Sequence, residues 1–228
     1  MRYRTAIVTG ASRGLGLEVS RQLAGRGLQV VAASRTPPED VAGVEWIETD
    51  VGSPESVRAL FAAARERFGP VDVLVNNAGV GAQRLVEELT DEEILETIAV
   101  NLTGLVLCSR AALPDMLEAG RGLILNVGSD LSRRFNTGMA VYTATKFGVL
   151  GFSGSLLREV KDRGVKVCAI LPGVIDTGFG GFAPEGSRGA SEGLPARELA
   201  EQIVAFLDHP EHLVVDELVV HPVGQQGF

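Results

Sequence analysis

Short apolar runs recur along the chain, separated by longer stretches in which apolar residues return every three or four positions. Ala6-Ile7-Val8, Val30-Val31-Ala32-Ala33, Val44-Glu45-Trp46-Ile47, Val71 to Val75, Leu123 to Val127, Val165 to Ile170 and a split final run, Leu213-Val214-Val215 with Leu218-Val219-Val220, predict seven strands. The stretches near 14–26, 54–68, 90–119, 139–162 and 196–208 predict helices, and Ser53-Pro54 supplies an N-cap and a first-turn proline for the second of them. The strands are apolar at consecutive positions rather than at alternate ones, as strands buried on both faces are. Their alternation with helices predicts one α/β domain over residues 1–228, a doubly wound sandwich with a mostly parallel sheet. Ligands of such sheets bind beyond the carboxyl ends of the strands. Gly178 to Pro195 stands apart, with six glycines and little periodicity. A connection of that length reads as a substrate loop or lid, or else as a surface insertion.

Composition narrows the classes. The 21 basic and 29 acidic residues leave a net charge of −8, which disfavours a nucleic-acid partner. The longest uncharged run, Thr97 to Ser109, has 13 residues, and Met1-Arg2-Tyr3-Arg4 leads directly into the first strand. No membrane partner and a cytoplasmic location are therefore expected. Cys108 and Cys168 lie sixty residues apart without a His or Cys at ligand spacing, so they read as core thiols of a reduced protein and no metal site is expected.

The chemistry begins after the first strand, where Thr9-Gly10-Ala11-Ser12-Arg13-Gly14-Leu15-Gly16 opens a helix. Glycines there permit a tight turn, close approach of backbone to a pyrophosphate, and close helix–strand packing. The helix N-terminus adds free N–H groups and the positive end of its dipole. At the end of the second strand an acidic residue would hydrogen-bond the ribose of NAD, but Ala33-Ser34-Arg35-Thr36 stands there. Ser34 and Arg35, with Arg13 from the glycine turn, suit a 2′-phosphate, so NADP(H) is expected in preference to NAD(H).

Tyr142-Thr143-Ala144-Thr145-Lys146 puts a phenol and an ammonium on one face of a predicted helix. A neighbouring cation favours the phenolate and is expected to lower the pKa of Tyr142. Thirteen residues upstream, Ser129 follows the fifth strand, placed to donate to a substrate oxygen while Tyr142 moves the proton.

The Thr-Gly-x-x-x-Gly-x-Gly turn, Asn76-Asn77-Ala78-Gly79 after the fourth strand, Ser129 and Tyr-x-x-x-Lys together resemble the short-chain dehydrogenase/reductase family in its shorter, single-domain branch, from Thr9 to about Thr177. The resemblance implies a Rossmann-type fold and an oxidoreductase that transfers a hydride between nicotinamide C4 and a carbonyl or secondary alcohol. It implies that Gly10, Gly14, Leu15 and Gly16 cradle the pyrophosphate, with Ser12 and Arg13 on phosphate. Asp50-Val51 then closes over the adenine, and Asn77, Ala78 and Gly79 line the nucleotide cleft. Ser129, Tyr142 and Lys146 match the catalytic residues, Lys146 also meeting the nicotinamide ribose, and Asn101 matches the residue that holds a water linking Lys146 to solvent. Pro172, Gly173, Ile175 and Thr177 match the segment beside the nicotinamide. A homodimer or homotetramer is implied as well; Cys108, Met116, Leu150 and Phe152 fit subunit contacts or the core equally.

The departures concern the substrate. Asp130-Leu131-Ser132-Arg133-Arg134-Phe135 stands where the family frequently has small residues. Arg133 and Arg134 suit an anionic or polar substrate, or pairing with nearby carboxylates. Phe179 and Phe182 suit an apolar substrate body, or anchoring of their loop. A nucleotide-sensing binding protein of the same family with little turnover is the alternative, against which stands the complete set of Ser129, Tyr142, Lys146 and Asn101.

Overall fold

The computed structural model describes residues 2–181, 186 and 192–225. Seven strands form one sheet: β1 (Thr5–Thr9), β2 (Gln29–Ser34), β3 (Val44–Glu48), β4 (Val73–Asn76), β5 (Gly122–Val127), β6 (Val165–Pro172) and β7 (Glu217–Val220). All pair in parallel, in the order β3-β2-β1-β4-β5-β6-β7. The order reverses at β1, so the loops after β1 and β4 diverge to opposite faces and open a crevice at the carboxyl edge.

Helices cover both faces. Ala6 and Val8 point toward α1 (Gly14–Gly25) and α6 (Ala196–Val204), packing with Leu15, Val19, Leu199 and Ile203. Ile7 points the other way, into a second cluster with Leu60 and Phe61 of α2 (Pro54–Phe68), Cys108 and Met116 of α4 (Gly104–Ala119), and Leu156 and Leu157 of α5 (Ala140–Val160). Successive strand residues therefore serve two cores, which is why the runs are continuously apolar. Ser53 caps α2 as expected, accepting the Ser56 N–H at 3.3 Å. Both cysteines are buried and free, and burial pushes both thiols up to about 12. Cys108 and Met116 are wholly enclosed and belong to the core.

Three elements differ from the pattern-based expectation. The helix expected over 90–119 is α3 (Asp91–Ile98), begun by a reciprocal Thr90–Glu93 capping box, then a π-helical turn over Ala99–Thr103, then α4. As one continuous run, Asp91–Ala119 is long and apolar enough, by length and composition, to cross a membrane, although its longest uncharged segment is short. In this fold it covers the sheet, its Asp115 held by Arg65 of α2 at 2.9 Å. The last strand is Glu217–Val220 alone: Leu213 and Val214, each 38% exposed, lie before the residue that pairs with β6 and have no sheet neighbour to bury them. Finally, Asp72 precedes β4 rather than lying within it, and its carboxylate accepts the N–H groups of Arg4 (2.8 Å) and Thr5 (3.3 Å), tying the start of β1 to β4.

Polar side chains pin the middle of the sheet to its helices. Asn76 Nδ2 donates to Asn126 Oδ1 (2.8 Å) and Ser109 Oγ (3.0 Å), and Asn126 Nδ2 donates to Ser153 Oγ (2.9 Å). This joins β4, β5, α4 and α5 directly beneath the site. Asn126→Ala leaves the buried Asn76 amide and Ser153 hydroxyl short of partners and is expected to cost about 2–3 kcal/mol, measured by urea unfolding; a loss under about 0.5 kcal/mol contradicts this role.

Candidate active site

The loops at the carboxyl edge enclose a cleft of about 960 Å³. Its floor at one end is the turn after β1. Gly10 has φ +65°, and a Cβ there would lie 2.7 Å from Ala78 Cα. A Cβ on Gly16 would lie 2.5 Å from Asn77 Nδ2. The space is taken by a clamp: Asn77 Nδ2 donates to the carbonyls of Thr9 (3.0 Å) and Gly10 (3.1 Å), and Thr9 Oγ1 accepts the N–H groups of Asn77 (3.0 Å) and Ala78 (3.1 Å). The first turn of α1 carries no acidic residue and no side-chain cap, so its N–H groups face the cleft as an anion site.

Along the cleft past this turn lie Ser34, Arg35, Asp50 and Val51. Ser34 Oγ donates to Thr36 O at 2.7 Å, and the exposed Arg35 pairs with Glu96 of α3 at 3.0 Å. Arg13 reaches across the cleft to Thr177 O at 3.4 Å. Asp50 Oδ1 accepts the Gly52 N–H at 2.9 Å, which shapes the turn before α2.

At the other end β5 delivers Ser129, and the first two turns of α5 deliver Tyr142 and Lys146. Lys146 Nζ donates to Val127 O at 2.9 Å and lies 5.4 Å from the centre of the Tyr142 ring. Burial lowers the Lys146 pKa to about 8. Burial also raises the Tyr142 pKa well above that of a free phenol; contact with Ser129 lowers it and the charge of Asp130 raises it. The expected depression of the phenol by Lys146 is not found: withdrawal from water disfavours the phenolate more than the contact with Ser129 favours it. The ring edge of Tyr142 rests against Gly81, where a Cβ would lie 2.7 Å from Cδ2, and Phe179 tilts against its other side with centroids 6.0 Å apart.

Pro172, Gly173, Ile175 and Thr177, from the end of β6 onward, form the facing wall. Every residue expected at the site from sequence lines this cleft except Gly16 and Asn101, which stand behind its wall. Asn101, on the π turn, accepts the Val80 N–H and donates to Val80 O, both at 2.8 Å, and donates to Thr145 Oγ1 at 3.3 Å. A π turn shifts the helix register by one residue and here directs a carboxamide inward. Arg133 pairs with Glu217, and Arg134, which lines the cleft, pairs with Asp130. Phe182 lies outside the described residues, as does much of the expected 178–195 loop. Sequence reading overlooked Asp130, Gly81 and Gln225. Asp130 was visible as an acid immediately after Ser129, whereas Gln225, 95 residues further on, carried no local signal.

Comparison with known proteins agrees with this fold. The sequence profile described as short chain dehydrogenase matches residues 4–186. The 3-oxoacyl-[acyl-carrier-protein] reductase FabG of Vibrio cholerae is 35% identical over 97% of this chain and 96% of its own length. The crystal structure of an alcohol dehydrogenase from the archaeon Thermococcus sibiricus, complexed with 5-hydroxy-NADP, superposes with a TM-score of 0.89 at 32% identity, covering 99% of both chains. A 3-ketoacyl-(acyl-carrier-protein) reductase from Brucella melitensis, complexed with NADH, superposes with a TM-score of 0.87 at 28% identity over 97% of this chain and 98% of its own. Likeness that runs the whole length of the chain, in sequence and in the course of the backbone, places it as an oxidoreductase that belongs to the short-chain dehydrogenase family.

Proposed function

We propose that this protein is an NADP(H)-preferring oxidoreductase that interconverts a carbonyl compound and its secondary alcohol. The observation that carries the reading is the placement of Ser129, Tyr142 and buried Lys146 at one end of a single cleft whose other end is a phosphate-binding turn. The cradle fits a dinucleotide: Cβ atoms at Gly10 or Gly16 would close it, and the bare N-terminus of α1 faces it. Ser34, Arg35 and Arg13, with no carboxylate at the end of β2, support the 2′-phosphorylated form. Relatives with NADP forms and with NADH both exist, so the preference rests on these side chains.

When bound, the nicotinamide exchanges a hydride with the substrate carbon. Tyr142 gives its proton to the substrate oxygen in reduction and takes it in oxidation, and Ser129 hydrogen-bonds the same oxygen. Lys146, fixed by Val127 O, holds its positive charge beside the phenol and meets the nicotinamide ribose. Asn101 fixes Val80 and Thr145 around Lys146, and we assign it the water that returns the proton. Pro172, Gly173, Ile175 and Thr177 support the nicotinamide, and Asp50 and Val51 the adenine. The V. cholerae relative, a 3-oxoacyl reductase by name, gives β-keto esters a place among the test substrates.

Three measurements test this reading. NADPH oxidation followed at 340 nm across aldehydes, quinones, β-keto esters and steroids is expected to find turnover that Tyr142→Phe reduces at least about 1,000-fold with NADPH affinity within about twofold; wild-type rates in the variant, or no turnover with any class, refute it. Ser34→Asp sets a carboxylate against the 2′-phosphate and is expected to lower the NADPH:NADH ratio of kcat/KM at least about tenfold, and an unchanged ratio removes the cofactor assignment. Lys146→Met removes a buried ammonium at constant shape. The unfolded chain keeps this proton until about pH 10.5 and the folded chain releases it near 8, so the charge destabilises the fold fully below pH 8 and progressively less up to 10.5. The variant, without turnover, is expected to be more stable than wild type by about 2 kcal/mol at pH 7, with the margin shrinking toward pH 10 in urea titrations; a margin independent of pH contradicts it.

A further inference from the structure

The three groups that the proposed function sets against a 2′-phosphate each have a protein partner in the structure. Ser34 Oγ donates to Thr36 O at 2.7 Å and Arg13 Nη1 donates to Thr177 O at 3.4 Å, so both meet backbone carbonyls, which carry no net charge. Arg35 differs. Its Nη1 donates to Glu96 Oε1 at 3.0 Å, and its partner is an anion. Arg35 lines the cleft from just after β2, whereas Glu96 belongs to α3, 61 residues further along, and stands outside the cleft lining. The helix that carries Glu96 is fixed at both ends. It starts in the Thr90–Glu93 capping box and runs into the π turn that Asn101 ties to Val80.

A carboxylate on this guanidinium matters more to a phosphate than to a hydroxyl. With Glu96 in contact, the pair presents no net charge to the cleft. A phosphate monoester, with more than one negative charge near pH 7, must displace Glu96 from Arg35 or share the guanidinium with it at close range. Displacement gives up a charge-assisted bond, and sharing sets two anions side by side. A ribose hydroxyl is neutral and suffers neither cost. Glu96 could favour the phosphate only by holding Arg35 ready for it. That gain is small, because the two side chains are 62% and 50% exposed and an ion pair in water fixes little. The cancelled charge outweighs the fixed posture.

We infer that Glu96 is a specificity-determining residue at the cofactor end: its carboxylate engages Arg35 and so lowers the preference for NADP(H) over NAD(H) below what Arg13, Ser34 and Arg35 alone would set. The inference rests on the cofactor reading proposed above and deepens it by naming a side chain that opposes the other three. An acid absent from the end of β2 is supplied from α3 instead. Its effect belongs to cofactor affinity and is read without turnover.

Dissociation constants of NADP+ and NAD+ are measured by calorimetry, with no substrate present, for wild type, E96Q, R35A and R35A/E96Q. Gln keeps the length and helix propensity of Glu without its charge. The ratio of the NAD+ to the NADP+ dissociation constant is expected to rise about three- to tenfold in E96Q and to fall in R35A. In the R35A background the same Glu96 substitution is expected to raise the ratio by about twofold at most, since the arginine it acts through is gone. A loosened fold does not bind the phosphorylated cofactor more tightly, so the sign of the change separates this role from a merely structural one. A rise below threefold in E96Q, a fall, an unchanged ratio in R35A, or a rise above twofold from R35A to R35A/E96Q overturns the inference. Wild type binding NAD+ the more tightly, with the E96Q rise present, refutes the NADP(H) preference alone. Wild type binding NADP+ the more tightly, with no E96Q rise, refutes this inference alone, and binding of neither cofactor refutes both.

Discussion

The five residues from Asn77 to Gly81 are gripped from three directions, and the site takes its shape from that grip. From one side Thr9 and Gly10 hold Asn77 and Ala78 through four hydrogen bonds, in a space that no Cβ on Gly10 or Gly16 would leave open. From a second side Asn101 takes both polar groups of Val80. From the third, the Tyr142 ring lies on Gly81. The phosphate turn, the π turn and the helix bearing Tyr142 and Lys146 are thereby set against one short loop. A side chain at Gly10, Gly16 or Gly81 would displace the parts relative to one another, not merely alter its own turn. Positioning to within about half an ångström is what such a site needs, and side chains locked by close packing and hydrogen bonds to the backbone supply it.

Much of this was legible along the chain because its signals are local. Continuous apolar strands, a glycine turn opening a helix, and a phenol four residues from an ammonium each occupy a few neighbouring positions, and the parallel sheet then brings them to the same edge. The reading faltered where the deciding interaction was long-range. Leu213-Val214-Val215 looks like a strand in isolation, but pairing with β6 begins only with Glu217 against Ala169. The π turn at Ala99–Thr103 has no proline or glycine to announce it; the geometry follows from Asn101 meeting Val80. The sign of the Tyr142 shift required knowing how deeply both partners are buried, since spacing reveals the cation but not the loss of water around the phenol.

Lys146 illustrates how the fold subordinates stability to the site. An ammonium with a single hydrogen bond among the described residues, to Val127 O, is kept where water has been excluded, and its lowered pKa is the measure of that cost. The polar links of Asn76, Asn126, Ser109 and Ser153 tie two strands to two helices. The charge is therefore held between β5 and α5, the two elements that Asn126 and Ser153 also join.

Charge is distributed unevenly along the cleft, and this bears on how substrates are chosen. The end proposed for the dinucleotide carries Arg13 and a bare helix N-terminus, while its Arg35 pairs with Glu96, in a chain of net charge −8. At the opposite end the arginines are paired too, Arg133 with Glu217 and Arg134 with Asp130. Pairs of this kind cancel at a distance, so a free anion approaching that end gains little from them, and to recruit either guanidinium it must displace a carboxylate already in contact. Discrimination there falls to contacts of short range: the apolar faces of Leu131, Phe135 and Met139, and the direction in which each hydroxyl and amide points its hydrogen. A polar group facing the wrong way in a buried site costs more than a methylene too many, so on the proposed reading the polar atoms at this end weigh more in the choice of ligand than the two paired cations.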